Sequence, residues 1–339
     1  MVRRKLSQYL LYPFIAIMIA MLIGAFIIWG GGNNPIEVYQ LMIEGSIGTS
    51  QTLSETILKT ASLIIAGISY AFAYRCGMLN IGIEGQMLAG AILSTWVGVN
   101  ITFLPGVLHL FVAVMASVLA GTFLGCFIAF LKNRFGANEV ITTVMMNYVM
   151  LFIVEYLVTG PMREAPEFPQ SARVLSTAGL PVLIPGTRVN IGIILALLLI
   201  ALYSYYWKRS KRGFEMRIVG ENPAVANSIG INVNQNRMIA FAVSGALAGL
   251  VGGMELLGIQ KRLLQNFSAG YGFDGIAVAL LGKNGPIGII LSSFLFGAMK
   301  TGGNMVQMFS NVPSSVVLII QAVIILMMTI QVFPVKQKN

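Results

Sequence analysis

Nine stretches of this chain are apolar for long enough to cross a bilayer. They lie near residues 9–30, 56–74, 86–104, 107–131, 139–160, 190–207, 238–259, 286–303 and 313–333. A spanning helix needs about 20 apolar residues, because the hydrocarbon core is roughly 30 Å thick. The 339 residues would be enough for two soluble domains, but only 10% of them are charged and 56% are hydrophobic. A soluble domain is typically about 25% charged. The chain therefore reads as one continuous transmembrane domain, residues 1–339.

A tenth stretch, 271–283 (YGFDGIAVALLGK), is short and contains glycine. It is a tilted span, a half helix or a re-entrant segment. Orientation bears on whether to count it. Cytoplasmic loops of membrane proteins carry an excess of Lys and Arg. With ten spans and the Val2-Arg3-Arg4-Lys5 end inside, 15 of the 22 Lys and Arg residues fall on the cytoplasmic side. With nine, Lys336 and Lys338 land outside. The expected fold is thus an all-α, polytopic helical bundle of about ten transmembrane segments with both termini cytoplasmic. The first apolar run, ending near Trp29, is too long for a signal-peptide core and shows no small-residue cleavage site, so it reads as a retained first helix.

The formal charge of +10 has the same explanation. The cationic residues sit between apolar runs, which points to the bilayer and not to nucleic acid. Cys76 and Cys126 lie in or beside apolar runs and suggest neither a disulfide framework nor a metal site. His109, beside a Pro-Gly turn, reads as incidental and not catalytic.

Two longer polar segments remain: an outer loop, 161–188, with five prolines, and a cytoplasmic loop, 208–237. The second contains ENPAVANSIGI. Asn222 suits an N-cap, Pro223 the first helical position, and Gly230 the left-handed stop after a helix. The result is a helix of under two turns over 223–229, too short to be stable alone. It either docks in a partner's groove or rests on lipid headgroups.

The stretch GENPAVANSIGINVNQNRMIAFAVSGALAGLVGG, 220–253, resembles the cytoplasmic coupling region and following helix of ABC-importer permeases in the branched-chain amino acid and monosaccharide group. AFAYRCGMLNIGIEGQMLAGA, 71–91, is similar to that group's other signature. GANEVITTVMMNYV, 136–149, resembles its nucleoside branch, guanosine-type permeases included, and GFDGIAVALLGKNGPIGI, 272–289, agrees. The resemblance spans roughly residues 55–305. It implies a type II-like permease fold and a multi-pass subunit in a bacterial cell membrane. It implies three partners: a separate ABC ATPase, a second homologous permease, and an extracytoplasmic substrate-binding lipoprotein. Coupling to the ATPase would fall to Glu221, Asn222, Pro223, Ala224, Ala226, Ile229 and Gly230. ATP and Mg would be bound by the ATPase, and the chain itself would hold no cofactor and no metal. It carries no GxxxxGK[ST] phosphate loop and no catalytic constellation, which fits a transport subunit that is not an enzyme.

Within CGMLNIGIEGQ, 76–86, three glycines let the chain break helix geometry. Irregular backbone at membrane depth is tolerated only when buried in protein or lining a cavity. Asn80, Glu84 and Gln86 are therefore expected to face the protein interior. Glu84 pairs with Arg75, caps the following helix, or meets the solute. In the run 139–160, Thr143 and Asn147 share one face, and Tyr148 and Glu155 align seven residues apart. These groups either bond neighbouring helices or line the passage. Asn147, Tyr148 and Gln321 join the pathway candidates. Gly245, Gly249 and Gly253 read as close helix packing, and Lys283 as a cytoplasmic turn. No sequence repeat is evident, although many transporters contain hidden inverted repeats.

The leading expectation is a permease subunit of an ATP-driven nucleoside importer. The alternatives are the same machine for a monosaccharide such as ribose and, from another class, an ion-driven secondary transporter. The latter is disfavoured because Glu155, Glu255 and Asp274 fall near predicted outer ends.

Overall fold

A computed structural model describes residues 2–165, 168–268, 270–310, 312–313 and 315–332. Each of the ten predicted apolar stretches forms a helix. In chain order these are α1 (Val2–Gly30), α3 (Ser50–Tyr74), α4 (Ile83–Asn100), α5 (Gly106–Phe135), α6 (Glu139–Thr159), α7 (Gly192–Arg209), α10 (Val233–Met254), α11 (Tyr271–Leu281), α12 (Pro286–Phe309) and α13 (Ser315–Val332). Three helices lie between them: α2 (Pro35–Ile47), α8 (Lys211–Glu221) and α9 (Pro223–Ser228). Among the described residues, α3, α5, α6, α7 and α10 with its continuation to Gln260 are each long and apolar enough to cross a membrane. The apolar part of α1 and α2 would make a sixth span if counted together, although they meet at 119°. Lys336 and Lys338 lie outside the described residues.

The sequence reading missed α2. Its 13 residues include Glu37 and Glu44, so it forms no apolar run. Asn34 caps it and Pro35 starts it, and it packs against α12, where Gly45 meets Met305. The all-α expectation also needs one correction. Arg163–Ala165 (β1) and Phe168–Ser171 (β2) pair antiparallel within the loop 161–188. The loop is tied to the chain after α10 by backbone bonds from Ser171 N to Leu263 O (2.9 Å) and from Val174 N to Lys261 O (2.9 Å). His109 does structural work here. It is fully buried, with one ring nitrogen 2.9 Å from Thr177 Oγ1 and the other 3.1 Å from Val97 O.

Glycines let α10 approach both α5 and α4. A Cβ on Gly245 would overlap Gly121 O, one on Gly249 would overlap Ser117 O, and one on Gly252 would overlap Met87 O. Lipid is as apolar as a leucine side chain, so such close contact, not burial, holds membrane helices together.

α3 and α10 run antiparallel through the centre. Ser62 on α3 bonds Glu255, and Ser69 bonds Ser244. After α3 the chain turns back along residues 75–82 and starts α4. After α10 and its continuation to Gln260 the chain turns back and starts α11 at Tyr271, from the opposite end of the bundle. α4 and α5 pack on α10, as α11 and α12 pack on α3. The order α3–α4–α5–α6 is thus repeated, inverted, as α10–α11–α12–α13. The two copies share Gly82-Ile83-Glu84-Gly85 and Gly272-Phe273-Asp274-Gly275. No repeat is evident in the sequence, which leaves an inverted repeat open. A four-residue echo is too short to detect before the matching helices are known.

Candidate translocation centre

α11 has 11 residues, about 16 Å at 1.5 Å per residue, so it cannot cross a bilayer core of roughly 30 Å. Its Gly275 lies against Ala66, near the middle of α3. Of the three sequence-level options, the half helix is the one formed. The start of α4 meets the start of α11, and Glu84 Oε2 accepts from Gly272 N at 2.7 Å. The first N–H groups of a helix lack intrahelical partners, and a carboxylate there also meets the positive end of the helix dipole. Glu84 therefore caps α11, across the repeat, and not its own helix. Arg75 is not its partner.

Around this junction lies an ionisable cluster. Asp274 Oδ2 and Lys300 Nζ are 2.5 Å apart, and Lys300 Nζ sits 4.8 Å from the centre of the Tyr271 ring. Ser62 Oγ donates to Glu255 Oε1 at 2.5 Å. Glu255 begins a π-helical turn, Glu255–Gln260, a feature frequent at functional sites. Glu255 is buried and Asp274 half-buried beside the middle of α3, which corrects the placing of both near an outer end. Glu155 is exposed and accepts from Gln265 at 2.8 Å. Lys59 and Lys300 were missed as site residues. Their signal was a lysine inside an apolar run, since such residues normally face a partner or a cavity.

The other predicted pathway residues separate into groups. Asn80 is fully buried; its Nδ2 donates to Gln86 Oε1 (2.9 Å) and Ser244 Oγ (2.8 Å), and its Oδ1 accepts from Gly82 N (3.0 Å). Asn147 accepts from Gly85 N at 2.8 Å and donates to Ile81 O at 2.9 Å. It thus stitches α6 to the irregular segment before α4, the helix-bonding role. Tyr148 faces outward, 54% exposed, so the polar residues of α6 occupy two faces. Gln321 on α13 is buried, and neither atom of its amide has a hydrogen-bond partner among the described residues. It lines a cavity of about 220 Å³ with Lys59, Tyr271, Lys300 and Asn304.

The loop 208–237 connects to this centre through backbone contact. Gly77, at φ +74°, lies against Gly220 at the end of α8. Beside it, Arg75 Nη2 donates to Asn284 O at 2.7 Å, and the guanidinium carbon lies 5.4 Å and 5.2 Å from the Tyr203 and Trp207 ring centres. Beyond Gly220, Asn222 Oδ1 accepts from Ala224 N (3.0 Å) and Val225 N (3.2 Å), capping α9 as expected. Gly230 has φ +81°. Glu221, Pro223, Ala224, Ile229 and Gly230 are exposed, as is Val225, whereas Ala226 is fully buried and anchors α9 to its own chain. At the other end of α10, Lys261 donates to Leu257 O, and burial lowers its pKa from the usual lysine value.

A helical membrane bundle with an inverted repeat, a half helix meeting the start of another helix at a buried polar centre and an exposed capped helix in one loop has the form of a transporter's membrane-spanning subunit. Residues 52–329 match the family of branched-chain amino acid transport system permease components, and the chain belongs to it. It is 37% identical, over 95% of its length and 93% of the relative's, to the guanosine ABC transporter permease protein NupP of Bacillus subtilis (strain 168). It is 32% identical to the glucose ABC transporter permease protein TsgB13 of Haloferax volcanii, over 96% of this chain and 88% of that one. It is also 32% identical to the nucleoside ABC transporter permease protein NupB of Lactococcus lactis subsp. cremoris (strain MG1363), over 96% and 92%.

Proposed function

We infer that this chain is a permease subunit of an ATP-driven importer that takes nucleosides across a bacterial cell membrane. The observation that carries the coupling half of this reading is α9, capped by Asn222, held by one buried side chain, and presenting Val225 and Ile229 at 50% and 60% exposure. An apolar pair on a short preformed helix suits a groove on a partner, here a separate ATPase that holds ATP and Mg. The solute half rests on the relatives named for guanosine and nucleosides. In this reading the apolar helices form about ten membrane segments, α11 being a half helix, with both termini inside. A second homologous permease completes the pathway, and an extracytoplasmic lipoprotein delivers the solute.

In mechanism, closure of the ATPases moves α9. Gly220 carries the movement to Gly77, and the segment 75–82 carries it to Asn80 and Glu84. Glu84 holds the start of α11, so the junction of α4 and α11 changes its relation to the rest of the bundle and the cavity changes sides. No bond is made or broken in this chain.

Cells with and without the chain are compared for uptake of radiolabelled guanosine, with excess adenosine, uridine or ribose as competitors. Loss of uptake without the chain, and competition by nucleosides but not by ribose, is the expected result. Unchanged uptake in a strain with no redundant system moves the monosaccharide reading to first place, a reading the glucose-named relative supports.

Gly230→Val places a branched residue at φ +81°, which costs about 1–3 kcal/mol and misdirects the chain leaving α9. It is expected to lower transport on the order of tenfold, and Glu221→Ala less, with the chain still in the membrane and the binding protein still docking. Normal transport by both variants would contradict the role of α9.

A further inference from the structure

The cavity between α3, α11, α12 and α13 has no role assigned by the fold. Two features mark it as a ligand site and not a packing defect. Gln321 is 3% exposed, and neither its amide oxygen nor its nitrogen has a partner among the described residues. An unsatisfied buried polar group costs about 1–3 kcal/mol, so an amide with both ends vacant calls for something that donates and accepts. Lys59, partly buried on α3, makes no ion pair within 4.0 Å among the described residues. With the Asn304 amide in the orientation that satisfies its neighbours, the oxygen accepts from Lys59 Nζ at 3.2 Å, and the nitrogen donates to Lys300 O at 3.3 Å. A neutral amide leaves two of the three ammonium protons of Lys59 available.

The charges nearby decide the ligand class. The ammonium groups of Lys59 and Lys300 are set among the carboxyl groups of Glu84, Asp274 and Glu255, the second bound to Lys300 itself. By formal charge, two cations against three carboxylates, the cluster offers an anion no net attraction. Hydroxyl groups, each able to donate and accept, match a vacant amide and spare ammonium protons. The volume, about 220 Å³, is below the roughly 300–1,000 Å³ of pockets that enclose a drug-sized ligand. It is large enough for one small ring.

We propose that Gln321, Lys59 and Asn304 form a subsite for the hydroxyl groups of the solute's sugar ring. This rests on the importer reading and deepens it. Nucleosides and glucose share a hydroxylated ring, so one subsite would serve relatives named for either. Gln321, on α13, and Lys59, on α3, would sense the ring next to the junction that Glu84 controls.

The test uses cells carrying the complete transporter. Uptake of labelled guanosine is compared with that of its 2′,3′-dideoxy analogue for the wild type, Gln321→Leu and Asn304→Leu. The binding protein is the same throughout, so a change in preference belongs to the permease. Asn304 is exposed on α12, so its variant keeps the fold, and blotting of membranes confirms the amount of each. The preference for the hydroxylated solute is expected to fall roughly fivefold in each variant, the worth of one hydrogen bond. An unchanged preference in variants present at wild-type amounts overturns the subsite. If the wild type imports ribose or glucose instead of guanosine, the nucleoside reading fails. The same variants are then compared for that sugar and its deoxy analogue, and the subsite stands or falls on that ratio. If the wild type imports none of these, both readings fall.

Discussion

Replacing Gly249 by leucine is expected to leave almost no folded chain in the membrane. A Cβ at this position overlaps Ser117 O on α5, and Gly121 and Gly90 approach the Gly249 backbone as closely from their own helices. Three helices are fixed by one site, and the obstruction is backbone, which cannot rotate away. Overpacking costs about 1–3 kcal/mol where side chains can shift. Here about 3 kcal/mol is a lower bound, against total stabilities of roughly 5–15 kcal/mol. Size-exclusion profiles of detergent extracts give the readout. Phe123→Leu, on a residue of α5 that is 69% exposed, is expected to match the wild type. A normal profile for Gly249→Leu would show that α5, α10 and α4 are not in such close contact.

The second large effect is at Glu84. Glu84→Leu is expected to lower transport at least about tenfold while the chain stays in the membrane. Leucine removes the acceptor of Gly272 N and leaves a buried donor unpaired, at about 1–3 kcal/mol, and it takes a negative charge from the dipole end of α11. Gly272 is buried, so its N–H is not exposed to an alternative partner at the surface. Glu84→Gln keeps an acceptor oxygen and is expected to retain part of the activity. Initial uptake rates, normalised to the amount of chain, separate the three proteins. Wild-type rates for Glu84→Leu would refute the junction's part in transport. Equal losses for the two variants would assign the effect to charge and not to the hydrogen bond.

Both residues show how far the sequence could be read. The glycine spacing at 245, 249 and 253 identified a packing face, but not that α5 and α4 meet that face together. The Gly-rich break at 76–86 identified buried irregular backbone and its polar residues. The partner of Glu84 lies 188 residues along the chain, and no local pattern points to it. Asn147 was legible as either a bonding or a passage residue, and the bonds to Gly85 N and Ile81 O chose between them. Lys59 and Lys300 were in view but were counted with the outer charges. A charge count assigns a residue to a side and does not measure depth.

The sequence by itself determined that this is a bundle of apolar helices with ten segments in order, where α9 begins and what caps it, and to which family its motifs belong. These follow from residue types and spacings within a few turns of helix, where apolar length, N-cap chemistry and glycine conformation act locally. Only the tertiary structure decided that α11 is a half helix, that two reversals from opposite ends of the bundle bring the starts of α4 and α11 together, and that Lys59, Asp274, Lys300 and Gln321 surround one buried centre. Those facts depend on contacts between helices far apart in the chain. In a bilayer such contacts are set by close shape fit and by paired polar groups, and even where glycine spacing marks a packing face it does not name the helix that meets it.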